Sequence, residues 1–324
     1  MTRETSSVLY DVPGPRARLI TLISSLLAVI VVIAGLYFLV YKPLDDKGQF
    51  STELWGPLID PSNESFPQVW ERLGTGLRNT LIAAALAILA SLFLGTLLAM
   101  LRIELKARLT RRFVDYPAAT AYGLRAVTWA LNVITRFCVE IFRGLPVVIT
   151  IFFVFRGLPE FGISFENPLW YLVIGLTIYN MVVIAEILRS GMEGLPSGQG
   201  EAAAAIGLSP YQTTWMILLP QSFRIMLPAL ISQLVVILKD TSLGFIISYE
   251  ELLNVSKQII GVLGNPIQVY FVVGVIYVLV NYSLSKLALY VQHRISRGRK
   301  TAGLPTVERP AAEMEPEVEV TGRA

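Results

Sequence analysis

The residues best placed to do chemistry are the few charged side chains that interrupt long apolar segments. Lys239 and Asp240 are followed by two hydroxyl residues, Thr241 and Ser242, inside the apolar segment 225–249. Ionisable groups are costly inside a membrane, and they usually face a partner or a water-filled path. A cation, a carboxylate and hydroxyls together suit a zwitterionic solute, whereas Lys239 and Asp240 alone suit a structural ion pair. The sequence leaves both roles open.

Two glutamate–arginine pairs stand at the edges of other apolar segments. Glu140 with Arg143, and Glu186 with Arg189, are each three residues apart, so each pair can meet on one face of a helix. Such a pair can be a local ion pair that positions a helix end at the membrane interface. The same contacts can instead form a gate whose pairing differs between two states of the protein. The sequence does not choose between these roles.

Residues for other kinds of chemistry are scarce. Cys138 is the only cysteine and His293 the only histidine, so we expect neither a His/Cys metal site nor a Ser-His-Asp triad. No glycine is followed by lysine, so the phosphate-binding loop G-x-x-x-x-G-K-[ST] does not occur in the sequence. We therefore predict that the chain is not an enzyme by itself and has no metal or cofactor of its own.

The composition is typical of a membrane protein. Apolar residues make up 54% of the 324 residues and charged residues only 16%, against about 45–50% and about 25% in soluble domains. The apolar content excludes a disordered protein, and a single cysteine excludes a disulfide scaffold. A net charge of +3, from 27 Lys+Arg and 24 Asp+Glu, does not favour a nucleic-acid binder.

The apolar segments predict an all-α integral membrane protein with about six transmembrane helices. A bilayer core of about 30 Å requires about 20 apolar residues in a helix, and the alternation of a barrel strand is missing. The first segment is longer than a signal peptide and has no evident cleavage site, so we interpret it as a transmembrane helix. The predicted spans are 19–41, 79–101, 144–155, 167–185, 225–249 and 258–285.

The charges of the connecting loops predict the orientation. Basic residues outnumber acidic ones before the first span, in the 102–126 loop and after the last span, and such regions stay in the cytoplasm. The 42–76 loop is acidic and proline-rich, so we expect an irregular segment outside the cell. Both termini are then cytoplasmic, with 1–18 as the N-terminal segment and 295–324 as a disordered acidic tail.

The loop at about 190–224 has a helix–turn–helix pattern. Residues 201–206 have high helix propensity, and Gly207 is a suitable helix stop. Ser209 is a good N-cap with Pro210 at the first helical position after it. We expect the second helix to end at about Leu219, before Pro220. The alanine-rich first helix is thin enough to fit a groove on another protein.

This loop resembles the signature loop of the permease subunits of bacterial ABC importers. The spacing of that signature is kept without departure across 201–220. The resemblance implies a type I importer-like permease core at 77–294, with 19–41 as an extra N-terminal helix. It also implies that the loop is a coupling helix, which docks on a separate ATPase subunit. The matching residues are Glu201, Ala202, Ala203, Gly207, Ile217, Leu219 and Pro220.

Further motifs resemble those of the permeases for polar amino acids. Glu140 begins EIFRGLP, Ala185 begins AEILRSG, Leu195 begins LPSGQ and Leu238 begins LKDTSL, each with at most a few departures from that branch. The layout, with its extra first helix and long outer loop, is similar to the glutamate-type permeases of actinobacteria.

The resemblance implies the partners as well. They are an ABC ATPase that binds ATP and Mg, a second permease subunit, often a different chain, and an extracytoplasmic solute-binding protein. The implied substrate is a polar amino acid, with glutamate or a relative favoured. The implied location is the bacterial cytoplasmic membrane, with lipid as the surroundings.

Two other classes of membrane protein fit the sequence less well. An ion-coupled secondary transporter of a small polar solute predicts inverted repeats with broken helices at matching positions, and the sequence has no such symmetry. A channel or a signalling scaffold needs no loop for an ATPase. Both alternatives leave the 190–224 loop unexplained.

Overall fold

The computed structural model describes residues 14–110 and 117–297. Within these ranges the chain is built of helices joined by short turns, and they contain no strand. Wide turns at Tyr37–Tyr41 and Thr214–Leu218 and a tight 3₁₀ segment at Thr241–Ile247 interrupt the α-helices. The α-helices are α1 Pro15–Leu36, α2 Lys42–Asp46, α3 Thr52–Ile59, α4 Phe66–Thr110, α5 Ala118–Gly144, α6 Val147–Glu160, α7 Leu169–Glu193, α8 Gly198–Ala205, α9 Pro210–Thr213, α10 Leu219–Asp240, α11 Leu252–Leu263 and α12 Pro266–Arg297.

The number of membrane spans agrees with the prediction of about six. Five helical segments in the described part are long and apolar enough to cross a membrane. The sixth predicted span, 144–155, falls on α6, a helix of 14 residues whose axis differs by 109° from that of α5 before it. The five single spans are Pro15–Asp46, Phe66–Leu109, Leu169–Glu193, Pro210–Ile247 and Pro266–Gln292.

The polar segment between the second and third predicted spans is largely helical, so its interpretation as a loop was wrong. Helix α4 continues to Thr110 and α5 begins at Ala118. The continuation is stable because Leu105 is buried and Glu104 accepts a hydrogen bond from the Arg108 guanidinium at 2.9 Å. Charged residues one helical turn apart support a helix that leaves the membrane. Residues 111–116 lie outside the described residues, and so do 1–13 and the predicted tail from 298 onward.

Helix α7 is the centre of the bundle, and α4, α6 and α10 pack around it. Small residues allow these helices to approach closely, as is usual where apolar helices associate in lipid. A Cβ on Gly95 of α4 would stand 2.8 Å from a side-chain carbon of Ile184. A Cβ on Gly175 of α7 would stand 2.8 Å from the Cα of Ile151. The central helix is therefore held from two sides by contacts that have no room for a methyl group.

The segment 42–76 is largely helical, which corrects the expectation of an irregular loop there. Helix α3 buries Leu58 in a second apolar cluster with residues of α4, α11 and α12. The indole N–H of Trp70 donates to the Leu58 carbonyl at 3.0 Å, and the Asn265 amide donates to the Leu54 carbonyl at 2.8 Å. The prolines indicate where the chain turns, but these tertiary bonds decide its conformation.

Helix α1 stands apart from the bundle. None of its residues is buried by the rest of the described chain. Its side chains are apolar nearly all round, as in a helix that lipid surrounds. This is the extra N-terminal helix that the sequence predicted.

Candidate functional site

The turn after α8 is built as the sequence predicted. Helix α8 ends at Ala205, and Gly207 has a φ of +83°, in the left-handed region that favours glycine. The backbone N–H of Leu208 donates to the Ala203 carbonyl at 3.0 Å, which closes the helix end. No atom lies within 4 Å of a Cβ added at Gly207. Backbone conformation, and not lack of space, is therefore what requires glycine there.

The next helix begins with a reciprocal cap. The Ser209 hydroxyl accepts from the Gln212 backbone N–H at 3.3 Å, and the Gln212 side chain accepts from the Ser209 N–H at 2.8 Å. Pro210 occupies the first position of α9. This capping box fixes the direction in which α9 leaves the turn.

The predicted helix end before Pro220 is wrong, because the helix continues through it. Residues Thr214–Leu218 form one wide π turn, and α10 begins directly at Leu219. The wide turn accommodates a proline that lacks a backbone N–H. The Gln221 side-chain amide donates to the Ile217 carbonyl at 3.0 Å and so provides a bond at this turn. The result is a helical span over Pro210–Ile247.

Helix α8 presents a smooth surface to the outside of the bundle. Glu201, Ala202, Ala204 and Ala205 are exposed, whereas Ala203 is buried. The side-chain amide of Gln221 in α10 donates a hydrogen bond of 3.3 Å to the side-chain oxygen of Gln199, at the start of α8. Large apolar side chains nearby are also exposed, namely Ile206, Tyr211, Trp215 and Met216. Such a patch of small and apolar side chains is typical of an interaction surface.

Two of the three signature residues at the end of this segment are buried or half-buried in the bundle. Leu219 is buried and Ile217 is half-buried, while Pro220 is exposed. The signature therefore combines an exposed helix with a buried anchor in the bundle. A displacement of α8 can reach α10 through these helical segments, without a flexible linker between α9 and α10.

Glu186 lies at the centre of a cluster of ion pairs between α4 and α7. It accepts hydrogen bonds from Arg189 on its own helix and from Arg102 on α4. Arg189 also pairs with Glu193 at 2.5 Å, and Lys106 of α4 pairs with Glu193 at 2.8 Å. The predicted Glu186–Arg189 pair is present, and the sequence missed its partners on α4. Arg102 and Glu186 are 84 positions apart in the chain, so no local sequence pattern indicates that they pair.

The other predicted pair is not formed. Glu140 pairs with Arg136, one turn earlier in α5, with an N–O distance of 2.8 Å. Spacings of three and four residues both bring side chains together on a helix, so the pattern alone did not distinguish the two arginines. Arg143 still lines the same cavity as Glu140, Glu186 and Arg189. The four residues proposed as two separate pairs are thus brought into one place.

Two of the four polar residues at 239–242 line a second cavity. Lys239 and Ser242 border a space of about 560 Å³ together with Leu253, Tyr277, Val278 and Asn281. Asp240 is half-buried and makes no ion pair with another described residue. A Lys239–Asp240 structural pair is therefore not formed, as expected for consecutive residues on a helix, whose side chains diverge.

Thr241 does not line this cavity. Its side chain is buried, and its hydroxyl donates to the Leu238 carbonyl at 2.6 Å. The α-helix becomes a 3₁₀ helix at this residue. The hydroxyl therefore satisfies a carbonyl at the end of α10, and it is not directed at a solute.

A buried carboxylate that the sequence analysis missed stands behind this cavity. Glu251 is fully buried and caps α11, accepting from the backbone N–H groups of Leu253 and Asn254, each at 2.7 Å. The Tyr277 hydroxyl, which also lines the cavity, donates to Glu251 at 3.0 Å. Burial raises the pKa of Glu251 to about 7, although these hydrogen bonds oppose the rise. An acid just before an apolar helical stretch is a capping pattern that could have revealed it.

Comparison with known proteins connects this geometry to a family. The sequence profile described as binding-protein-dependent transport system inner membrane component matches residues 116–297, more than half of the chain. The chain belongs to this family. It is thus a multi-span permease component of the cytoplasmic membrane. In the described part, no three His, Cys, Asp or Glu side chains of this permease are grouped to hold a metal ion.

Two relatives of the permease are similar over most of their length. The glutamate transport system permease protein GluD of Corynebacterium glutamicum is 38% identical over 259 residues, which cover 79% of this chain and 85% of the relative. The probable glutamine ABC transporter permease protein GlnP of Bacillus subtilis is 32% identical over 236 residues, covering 72% and 96%.

A solved structure agrees in fold. The crystal structure of an amino acid ABC transporter with histidines matches with a TM-score of 0.56 and 22% identity, covering 71% of this permease and 97% of the solved chain. At this identity the likeness is one of architecture. The permease therefore has the helical fold of an ABC importer membrane subunit.

Proposed function

We propose that this permease imports a polar amino acid, with glutamate or a close relative favoured, by alternating access coupled to a separate ATPase. The observation that carries the proposal is the exposed α8 with its Gly207 turn, joined to the transmembrane bundle through α10. The names of the relatives, a glutamate permease and a glutamine permease, support the substrate class. ATP and Mg bind to the partner and not to this chain.

The coupling step is assigned to α8. Glu201 and Ala202 on its exposed face contact the ATPase, and Ala203 packs against the bundle. Closure of the ATPase displaces α8, and the buried Leu219 transmits the displacement into α10. Glycine at 207 keeps the turn tight, because other residues strain in the left-handed region.

The orientation follows from the same assignment. The ATPase is a cytoplasmic protein, so α8 and the inner ends of α4 and α7 face the cytoplasm. The excess of basic residues in the cytoplasmic regions supports this orientation. Both termini are then cytoplasmic, and α3 lies on the outer side, where the solute-binding protein delivers its cargo.

The solute path is assigned to the cavity that Lys239 and Ser242 border. The Lys239 ammonium attracts the side-chain carboxylate of an acidic amino acid. Asp240 is assigned to the amino group only as the next residue along the chain, since it does not border the cavity. Thr241 contributes by closing the end of α10 and not by contact with the solute. A charged group is expected in a transmembrane helix mainly where it serves such a function.

The inner gate is assigned to the cluster around Glu186. Arg102 and Glu186 join α4 to α7, and an inward opening that separates these helices must break this contact. Arg189 keeps Glu186 paired when Arg102 leaves, because it lies on the same helix. Glu140 and Arg143 border the same cavity from α5. The contact between helices, and not the pair within α7, is therefore the part that differs between states.

The membrane part of the transporter is proposed to be a heterodimer of this permease with a second, different permease chain. Two ATPase subunits and an external binding protein complete the assembly. The test is reconstitution of these chains in proteoliposomes, with labelled glutamate, glutamine, arginine and histidine supplied to the binding protein. We expect ATP-dependent uptake of glutamate or glutamine. Absence of ATP-dependent uptake for all four amino acids contradicts the proposed substrate class.

A further inference from the structure

The cavity between α4, α5 and α7 carries more positive than negative charge. It has a volume of about 350 Å³, and five basic side chains line it together with three glutamates. The basic residues are Arg102, Lys106, Arg136, Arg143 and Arg189. An open space with this excess of cations suits an anion.

The ion pairs leave one of these cations without a carboxylate. Glu186 and Glu193 together pair with the cations of α4 and α7, and Glu140 pairs with Arg136. Arg143 has no carboxylate within ion-pair distance among the residues that the structure describes, and its side chain is exposed. Asn132 and Arg136 also line the cavity from α5, at spacings that place them on the Arg143 face of the helix. Five cations against three carboxylates leave the cavity with two positive charges in excess, one on α5 and one shared by the cations of α4 and α7, and among the described residues the cation without a carboxylate partner is Arg143.

The opposite face of α5 is apolar and exposed, as expected of a surface in contact with lipid. Val127, Ile134 and Phe137 lie on the face of α5 turned away from Asn132, Arg136 and Arg143, and each is more than half exposed. The helix axis turns by 109° where α5 meets the transmembrane helix α6. A helix with a basic face, an aromatic and apolar face, and an axis turned away from its span is typical of a helix that lies in the membrane interface.

We propose that this cavity binds the phosphate group of an anionic phospholipid from the cytoplasmic leaflet, with the acyl chains along the apolar side of α5. A guanidinium and a phosphate form two parallel hydrogen bonds, and basic pockets between helices on the cytoplasmic side bind lipid headgroups. The proposal rests on the orientation given under the proposed function. Inorganic phosphate offers the same chemical group, so the experiment includes it as a separate arm.

The test is native mass spectrometry of the assembled transporter, exchanged into detergent with equal amounts of phosphatidylglycerol and phosphatidylcholine. We expect the wild type to retain phosphatidylglycerol in preference. Arg143→Gln should lower that preference about fivefold, the effect of one basic residue at an anionic surface, and Arg143→Lys, which keeps the charge but not the two parallel hydrogen bonds, should give an intermediate preference. Arg125→Gln is the matched control, because Arg125 is an exposed arginine of α5 that does not line the cavity.

The outcomes separate the sources of the phosphate. Displacement of phosphatidylglycerol by inorganic phosphate in the wild type, but not by chloride at the same ionic strength, supports a phosphate site open to both sources. Equal retention of the two lipids, or an Arg143→Gln variant that behaves as the wild type, overturns the proposal. Retention is read without transport, so its failure is distinct from a failure of the proposed import.

Discussion

Gly191 of α7 lies directly against Ser222 of α10. A Cβ at position 191 would overlap the Ser222 hydroxyl oxygen and would stand 2.5 Å from the Cγ of Met226. The Ser222 hydroxyl donates to the Leu188 carbonyl at 2.8 Å, one turn earlier in α7. This contact joins the central helix to the helix that continues from the α8 turn, so it lies on the proposed path from the ATPase to the solute.

We expect Gly191→Ala to destabilise the permease, because the new methyl group forces α10 away from α7. Overpacking of this kind costs about 1–3 kcal/mol. The measurement is the melting temperature of the purified transporter. Gly157→Ala is the control, since Gly157 lies in α6 with no atom within 4 Å of an added Cβ. A Gly191→Ala variant as stable as Gly157→Ala would show that the two helices can separate freely here.

Glu186→Gln should destabilise the contact between α4 and α7 by about 2 kcal/mol, since it removes the charge that holds two arginines in a partly buried site. Glu140→Gln removes a pair whose side chains are both more than half exposed, and it should cost clearly less than Glu186→Gln, because solvent screens the pair. Denaturation of the two variants under the same conditions measures the difference. Equal losses for the two substitutions would contradict the central position of Glu186.

The raised pKa of Glu251 leads us to expect that the stability of the permease depends on pH. This pKa is raised from the usual 4.5 to about 7, so the folded state binds a proton more tightly than the unfolded state between these values. The contribution to stability is therefore full below pH 4.5, decreases as the pH rises, and is lost above about pH 7.

Glu251→Gln should flatten the decrease in melting temperature between about pH 5 and about pH 8, because an amide does not titrate in this range. Glu250→Gln is the control, because Glu250 is the exposed neighbour. The same slope in Glu251→Gln and in the wild type would assign the pH dependence to another group.

Lys239→Met should lower the uptake of an acidic amino acid about tenfold, which corresponds to about 1.4 kcal/mol of lost interaction. The fold should persist, because Lys239 is exposed to the cavity and makes no ion pair with a described residue. Lys257→Met is the matched control: Lys257 lies 3.5 Å from the centre of the Phe245 ring and does not border the cavity. Uptake that is reduced equally by both substitutions would remove Lys239 from the solute path.

The sequence predicted the features that depend on local residue types. These include the number of spans, the extra first helix, the α8 turn with its glycine and the Ser209 cap. The conformation of a left-handed glycine and the bonds of a capping serine depend only on residues a few positions away. They can therefore be predicted from the sequence without knowledge of the tertiary structure.

The features that the sequence did not predict depend on distant residues. Arg102 reaches Glu186 from 84 positions away, and Asn265 donates to the Leu54 carbonyl in the segment 42–76 from 211 positions away. The continuation of α10 through Pro220 depends on a wide turn that propensities do not anticipate. Tertiary contacts override the local pattern at each of these places.

The central claim is that α8 transmits the action of an ATPase to the solute path. Gly207→Val tests it most directly, because a β-branched residue at a φ of +83° is strained and displaces the α8 turn without filling any space in the bundle. Gly198→Val is the control at the other end of α8, where the backbone is helical and no atom lies within 4 Å of an added Cβ.

The measurement is uptake and ATP hydrolysis by the same proteoliposomes, which hold the assembled transporter with the binding protein outside. The account predicts that Gly207→Val loses most of its uptake while ATP hydrolysis no longer responds to the loaded binding protein, and that Gly198→Val keeps both responses. Unchanged, ATP-dependent uptake by Gly207→Val, or uptake by the wild type that an ion gradient drives without ATP, would contradict it.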